Sequence, residues 1–525
     1  MTIIKTVHCP TKRVSGLGNK TPCPRPHCNQ STMYHLIVQV ALFLAVLFCA
    51  DFWWKRVVHR QLNKLPGPVS VPLLGSGYVF LGKNCSQVFY TFQRLTARYG
   101  QGGAPIRFFL GPVPFVIISS PEHAQVILSS STCLAKPWIY RFTPLEGIFS
   151  LPVDKWRRHR RAIQPGFNLA VLNSFIPIFK RKIDILVEKL GREVVGGGTF
   201  DVYGYVAACT LDMVYSTTLG MEMNIQQQAR SAYLDVLDEL FELVTKRSTN
   251  VLLHPQWAYR LTSYYRRECR ARQIFCAPST EVLQRNPILA RSPSEFSDVS
   301  KPQILIDQLY DLALKDPTFD RDAIEKELNT MIFGGNETTA ITMSNALLLI
   351  AMHPEVQNKL IVEITQVLGE SFANITIEQL QQLTYMEAVL MEAMRLYPIT
   401  TILGRKTGAD LQLGEYRIPA GVNLAIDVFS IHRSAEHWGL NADLFVPERF
   451  LTGKHHPYAF LGFSAGPRNC IGIRYAWISM KMTLAHVLRR FELETPLRLQ
   501  DIRIKASMTL KVIGGHIISV RARDE

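Results

Sequence analysis

Hydrophobic positions fall into three patterns along this chain, and each predicts a different element. The first is an unbroken apolar run. YHLIVQVALFLAVLFCADFWW, residues 34–54, has only Gln39 as a polar residue in its core from Leu36 to Ala50. With the flanking aromatics it reaches the roughly 20 residues needed to cross a membrane. Trp53 and Trp54 suit an interfacial belt, and Lys55, Arg56, Arg60 and Lys64 follow at once. That order predicts a cytoplasmic location for the chain that follows. No small-residue cleavage site comes after the run, so residues 33–54 are expected to be a retained single-span anchor.

The second pattern is helical. RDAIEKELNTMIFGGNETTAITMSNALLLIAMHP (321–354) reads as one long helix ended by His353-Pro354. It is apolar enough to cross the middle of a domain. Residues 156–300 are rich in amphipathic windows, with a Pro/Ser-rich surface loop at 285–302. The third pattern is alternation. RFFLGPVPFVIISS (107–120) predicts a hairpin around Gly111-Pro112. GEYRIPAGVNLAIDVFSIHR (414–433) predicts strands, and IRIKASMTLKVIGGHIISVRAR (502–523) a hairpin turning at Gly514-Gly515. Pro66, Pro68 and Pro72 exclude helix from KLPGPVSVPLLG (64–75) and make it a stiff linker. The chain shows no internal repeat. The expected fold is mainly α with small β-sheets (α+β), in one large domain at 76–525. Ahead of it come an extension at 1–32, the anchor, and a basic, Pro-rich linker at 55–75.

Charge and cysteines narrow the picture. The chain of 525 residues carries 58 Lys+Arg against 43 Asp+Glu, a net +15. This favours acidic partners or anionic lipid. With no RNA-binding signature, basic low-complexity tract or zinc-finger spacing, nucleic acid is not an expected partner. The 10 cysteines are scattered without a C-x-x-C pair, which points to a reducing compartment rather than a disulfide framework. Residues 1–32 hold five Lys/Arg and no acid, on the side of the anchor that opposes the predicted orientation. We expect translation to start at Met33, which an intact-mass measurement of the native protein tests.

The chemistry centres on Cys470, alone in FSAGPRNCIG (463–472). An unpaired cysteine can be a nucleophile, a redox sensor or a metal ligand. A nucleophile needs a base, and this loop has none. A haem iron takes one proximal thiolate, which favours O–O cleavage. Gly466 and Gly472 allow close backbone approach, and backbone N–H groups then tune the sulfur. Arg468 can pair with a haem propionate. The helix that follows favours a thiolate at its N-terminus.

Phe463, Gly466, Arg468, Cys470 and Gly472 occupy every fixed position of the signature of the cytochrome P450 family, which this chain resembles. The other motifs of that family follow in order. The resemblance joins Glu392 and Arg395 of EAMR to Arg449 of PERF in a buried structural charge network. It directs Trp156 and Arg160, four apart in KWRRHRR, toward the haem propionates. Lys155, Arg157, Arg158 and Arg161 then form a basic patch for an acidic flavoprotein electron donor. In GGNETT (334–339), two mid-helix glycines cost about 1 kcal/mol each relative to alanine, which suggests a need for open space or a kink. Thr338 can bond back to the Gly334 carbonyl. The resemblance makes Glu337 and Thr338 an acid–alcohol pair that delivers protons during oxygen activation.

FSAGPRNCIG, WRRHRRAIQPGF (156–167), LTYMEAVLMEAMRLYP (383–398) and IHRSAEHW (431–438) resemble the clan of fatty-acid ω-hydroxylases and insect microsomal members. The likeness covers residues 60–525. Many ω-hydroxylases carry a glutamate that esterifies a haem methyl, where this chain has Gly334. Non-covalent haem b (iron protoporphyrin IX) is therefore expected, and strict terminal-carbon selectivity is not. The resemblance implies a monooxygenase of the endoplasmic reticulum membrane, with its catalytic domain cytoplasmic. Its substrate would be apolar: a fatty-acid-like lipid, an insect hormone, or a xenobiotic such as an insecticide. Electrons would come from NADPH through cytochrome P450 reductase, with cytochrome b5 as a further donor. The substrate pocket would draw on residues near 140–150, parts of 220–280, Ile332–Gly335, the strand after Pro398 and the Ser507–Thr509 turn. The rival readings are a haem-thiolate isomerase or dehydratase acting on a peroxide, and a non-enzymatic haem-thiolate carrier or sensor. Both leave Glu337-Thr338 without a purpose.

Overall fold

Asp320 starts the longest helix of the body by accepting a hydrogen bond from the Ala323 N–H. The central helix runs over Arg321–Met352, 32 residues or roughly 48 Å. His353 caps it and Pro354 opens the next helix, as the sequence predicts. It is buried on nearly every side, so it carries no polar face. Val202–Val214, Ser263–Arg285, Thr384–Leu396 and Ile473–Arg490 pack around it. The computed structural model describes residues 30–57, 59–285, 304–369 and 375–523. The expectations for residues 1–29 and for the Pro/Ser-rich loop fall outside the described residues.

Small sheets flank this helical body. Ile106–Leu110 and Val113–Ile118 form the predicted hairpin, with Gly111 at φ +65° in the turn. Val113–Ile118 then pairs in parallel with Asn423–Asp427, which pairs antiparallel with Ile402–Lys406. The Lys406 N–H donates to the Ala135 carbonyl at 2.8 Å, bringing residues 135–136 beside this sheet.

The C-terminal hairpin differs from expectation. Arg503–Ala506 pairs with Leu510–Ile513 around Ser507–Thr509, not around Gly514-Gly515. Ile517–Ala522 instead joins Phe491–Glu494 and Phe200–Asp201. The two glycines, at φ +93° and +90°, carry the chain from one sheet to the other. A Cβ at Gly515 would lie 2.6 Å from Asp201 Oδ2. The glycine pair therefore serves a tight crossing rather than a hairpin turn.

The N-terminal helix spans Gln30–Val57. Its apolar stretch Met33–Trp54 is long and apolar enough to cross a membrane, and none of it is buried in the body. The proline-rich stretch after Leu65 forms no α-helix, as Pro66, Pro68 and Pro72 require.

Candidate active site

Cys470 lies in a loop whose shape depends on one glycine. Gly466 sits at φ +70°, and a Cβ there would fall 1.8 Å from the Leu128 carbonyl oxygen. The Cys470 N–H donates to Phe463 O at 3.0 Å, and the Asn469 N–H to Gly466 O at 3.0 Å. Phe463 packs on Trp477 of the following helix, Ile473–Arg490. Cys470 keeps an exposed face although protein surrounds it. Burial pushes the thiol pKa up, while the Gly472 N–H and the Arg160 guanidinium favour the thiolate. Arg160 holds Asn469 through its carbonyl at 2.9 Å and its side-chain oxygen at 3.0 Å. Its Nε is buried without a partner.

Next to this loop stands a cluster of buried cations. The Arg468 guanidinium stacks 4.2 Å over the Trp156 ring and donates to Leu151 O at 3.0 Å. Its Nε too is buried without a partner. Burial and the nearby Arg405 lower Arg468 to about 9. Burial, Arg405 and Arg468 together bring Lys136 well below the ordinary lysine value. Arg405 is depressed by burial as well, with Tyr140 and Cys133, and no carboxylate, favouring its charge. Unpaired buried charge is costly. Three such cations in one place mark a seat for an anionic group. Sequence reading found Arg468 and Trp156 but missed Lys136 and Arg405. The strand bridge between Ala135 and Lys406 is what brings those two together.

On the central helix the two glycines differ. A Cβ at Gly335 would lie 2.7 Å from Val214 Cγ2, so this glycine lets Val202–Val214 pack closely. A Cβ at Gly334 would meet nothing within 4 Å, and Gly334 is exposed within an otherwise buried stretch. Thr338 Oγ1 donates to Gly334 O at 2.5 Å, as the sequence predicts. Glu337 turns elsewhere. It is fully buried, with Oε2 accepting from Tyr203 OH at 2.7 Å and Oε1 from Lys511 Nζ at 2.7 Å. Thr509 Oγ1 adds a longer contact at 3.4 Å. The acid and the alcohol are thus neighbours in sequence with separate partners in space.

Glu392, Arg395 and Arg449 meet as the motifs suggest. Arg395 grips Glu392 through Nε at 2.6 Å and Nη2 at 2.8 Å, and Arg449 Nε reaches Glu392 Oε1 at 3.0 Å. Glu392 and Arg395 are fully buried. His432, which no motif singled out, ties this network to the cysteine loop. It accepts the Leu461 N–H at Nε2 (2.8 Å), leaving Nδ1–H to donate to Arg395 O at 3.1 Å. Burial and Arg395 lower His432 to about 3, so its ring stays neutral.

A haem needs one axial thiolate and a cationic seat for two propionates. The exposed Cys470 sulfur, the Lys136–Arg405–Arg468 cluster and the open face at Gly334 fit those needs. A family model described as Cytochrome P450 matches residues 65–515. Cytochrome P450 4c21 of Blattella germanica is 31% identical over 90% of this chain and 96% of its own length. Probable cytochrome P450 313b1 of Drosophila melanogaster is 30% identical over 91% and 97%. Cytochrome P450 4c3 of the same fly is 27% identical over 89% and 90%. With thiol, cation seat and charge network in these places, the chain belongs to the cytochrome P450 family of haem-b monooxygenases, whose cofactor is held without a covalent bond.

Proposed function

We propose that this protein is a membrane-anchored monooxygenase that inserts one oxygen atom into an apolar substrate: a fatty-acid-like lipid, an insect hormone or a xenobiotic. The helix Met33–Trp54 holds it in the endoplasmic reticulum membrane with its body on the cytoplasmic side. Haem b supplies the oxygen chemistry when bound. Cys470 is its axial ligand, and the Gly472 N–H and Arg160 steady the sulfur's negative charge. Arg468 and Trp156, with Lys136 and Arg405, hold the propionates, and Arg160 braces the loop through Asn469. Thr338 and Glu337 handle protons on the distal side. Glu392, Arg395 and Arg449 are structural. The exposed Lys155, Arg157, Arg158 and Arg161 receive an acidic reductase that draws on NADPH, with cytochrome b5 as a second donor.

The observation that carries this reading is the Thr338–Gly334 bond on the open stretch of the central helix, which an isomerase or a carrier does not need. The test pairs two measurements on the full-length membrane-bound protein. One is the carbon monoxide difference spectrum beside that of Cys470→Ser. The other is NADPH consumption with added reductase. A strongly red-shifted Soret band, lost in the variant, together with reductase-dependent NADPH use supports the proposal. Haem binding without NADPH use refutes it in favour of the isomerase or carrier.

A further inference from the structure

Lys511 belongs to none of the motifs. It lies on Leu510–Ile513 with its side chain only 10% exposed. Its Nζ uses three contacts: Glu337 Oε1 at 2.7 Å, Asp238 Oδ1 at 2.5 Å and Tyr203 OH at 3.1 Å. Asp238, on Ala232–Thr249, is 46% exposed. With Glu242, Lys505 and His516 it lines a polar, solvent-facing pocket of about 450 Å³. Lys511 therefore stands between a fully buried carboxylate on the central helix and water. We propose that Lys511 is a positioning residue that passes protons from this pocket to Glu337, with Asp238 as the first group to meet water.

The transfer balances without any electron. An Nζ–H bond of Lys511 breaks and an O–H bond forms at Glu337 Oε1, leaving a neutral amine beside a neutral acid. Water in the pocket supplies a proton across Asp238 and restores the ammonium. Glu337 then turns and gives up its proton toward Thr338, recovering its carboxylate. One proton has moved inward and every group has returned to its starting charge. The resting form is the loaded one: burial disfavours the ammonium, but Glu337 and Asp238 together outweigh it and raise Lys511 above the ordinary lysine value. Other charged groups around the relay are Lys505, which reaches Glu242 at 2.9 Å and Asp238 at 3.5 Å, and His516, which faces Asp201 at 4.0 Å. A lysine can pass a proton on, whereas an arginine in its place would keep it.

That difference gives the test. Lys511→Met, Lys511→Arg and Asp238→Asn are made in the full-length, haem-loaded protein, with the carbon monoxide spectrum as the loading control. Two readouts follow: the infrared carboxyl region, and substrate-free NADPH consumption with reductase in light and heavy water across pH. In Lys511→Met the buried carboxylate loses its counter-charge and takes up a proton. A protonated-carboxyl band should appear and be absent from Lys511→Met with Glu337→Gln. NADPH consumption should fall at least about 10-fold, with a larger solvent isotope effect. Lys511→Arg should suppress the band yet stay slow. Wild-type rate and isotope effect in Lys511→Arg would reduce Lys511 to a structural counter-ion and overturn the proposal. If neither Lys511 variant loads haem, Asp238→Asn decides. A shifted pH profile with a larger isotope effect supports the relay, and an unchanged profile overturns it.

Discussion

Two glutamates in this molecule are fully buried and paired with cations, yet they are held in opposite ways. Glu392 is gripped by two planar guanidinium groups and accepts the Val446 N–H at 2.9 Å. Its arginines are tied in turn to carbonyls of His432, Leu444, Trp438 and Asn441. Every arm is used, and no partner gives up a proton near neutral pH. Glu337 has a tyrosine and a lysine instead, and the lysine leads to an exposed aspartate. The first arrangement fixes geometry. The second can change protonation and release its carboxylate. Burial alone does not mark a carboxyl as structural or functional; the chemistry of its counter-ion does.

The sharpest way to break the comparison is to remove each charge. Glu392→Gln leaves two guanidinium groups without their carboxylate and should cost about 3–5 kcal/mol. Denaturant unfolding together with the carbon monoxide spectrum measures this, and retained stability would remove the idea of a locked network. Glu337→Gln should cost less, about 1–2 kcal/mol, because Lys511 keeps Asp238. Its main effect should be kinetic, a fall of about 10²-fold in reductase-driven NADPH consumption.

Acid probes the two sites next. The unfolded chain carries His432 at its ordinary value near 6.5, and the folded chain holds it at about 3. Between those values the unfolded state binds the extra proton, so stability falls as pH falls through that window. His432→Gln should flatten this part of the stability–pH curve. An unchanged slope would show that His432 is not the group responsible. The smallest effects should come from the two glycines ahead of Glu337. Gly335→Ala presses on Val214 and should cost about 1–3 kcal/mol. Gly334→Ala meets open space and should gain up to about 1 kcal/mol of helix stability. Equal effects at the two positions would erase the distinction between packing and openness.

The parts legible in the sequence were those whose signal is local. The central helix, with its Asp320 start and Pro354 stop, follows from capping chemistry and apolar content. The hairpin at 106–118 follows from alternation around Gly111-Pro112. The cysteine loop follows from residues packed within one turn. Long-range geometry was not legible. Lys136 and Arg405 are separated by most of the chain, and only strand pairing joins them. Glu337 and Thr338 are adjacent, but adjacent side chains on a helix point about 100° apart. Their adjacency therefore said nothing about which partner each would find. Gly514-Gly515 announces a special backbone and does not say whether that backbone turns or crosses.

The cation cluster at Lys136, Arg405 and Arg468 has a consequence for how the protein is made. Three like charges held together inside the fold oppose folding until an anionic group joins them. Haem uptake and completion of the fold are then linked as one equilibrium. Chains synthesised while haem is scarce should stay partly open and be cleared by cellular proteases. The amount of this protein in a cell should accordingly rise and fall with haem supply, even at constant synthesis.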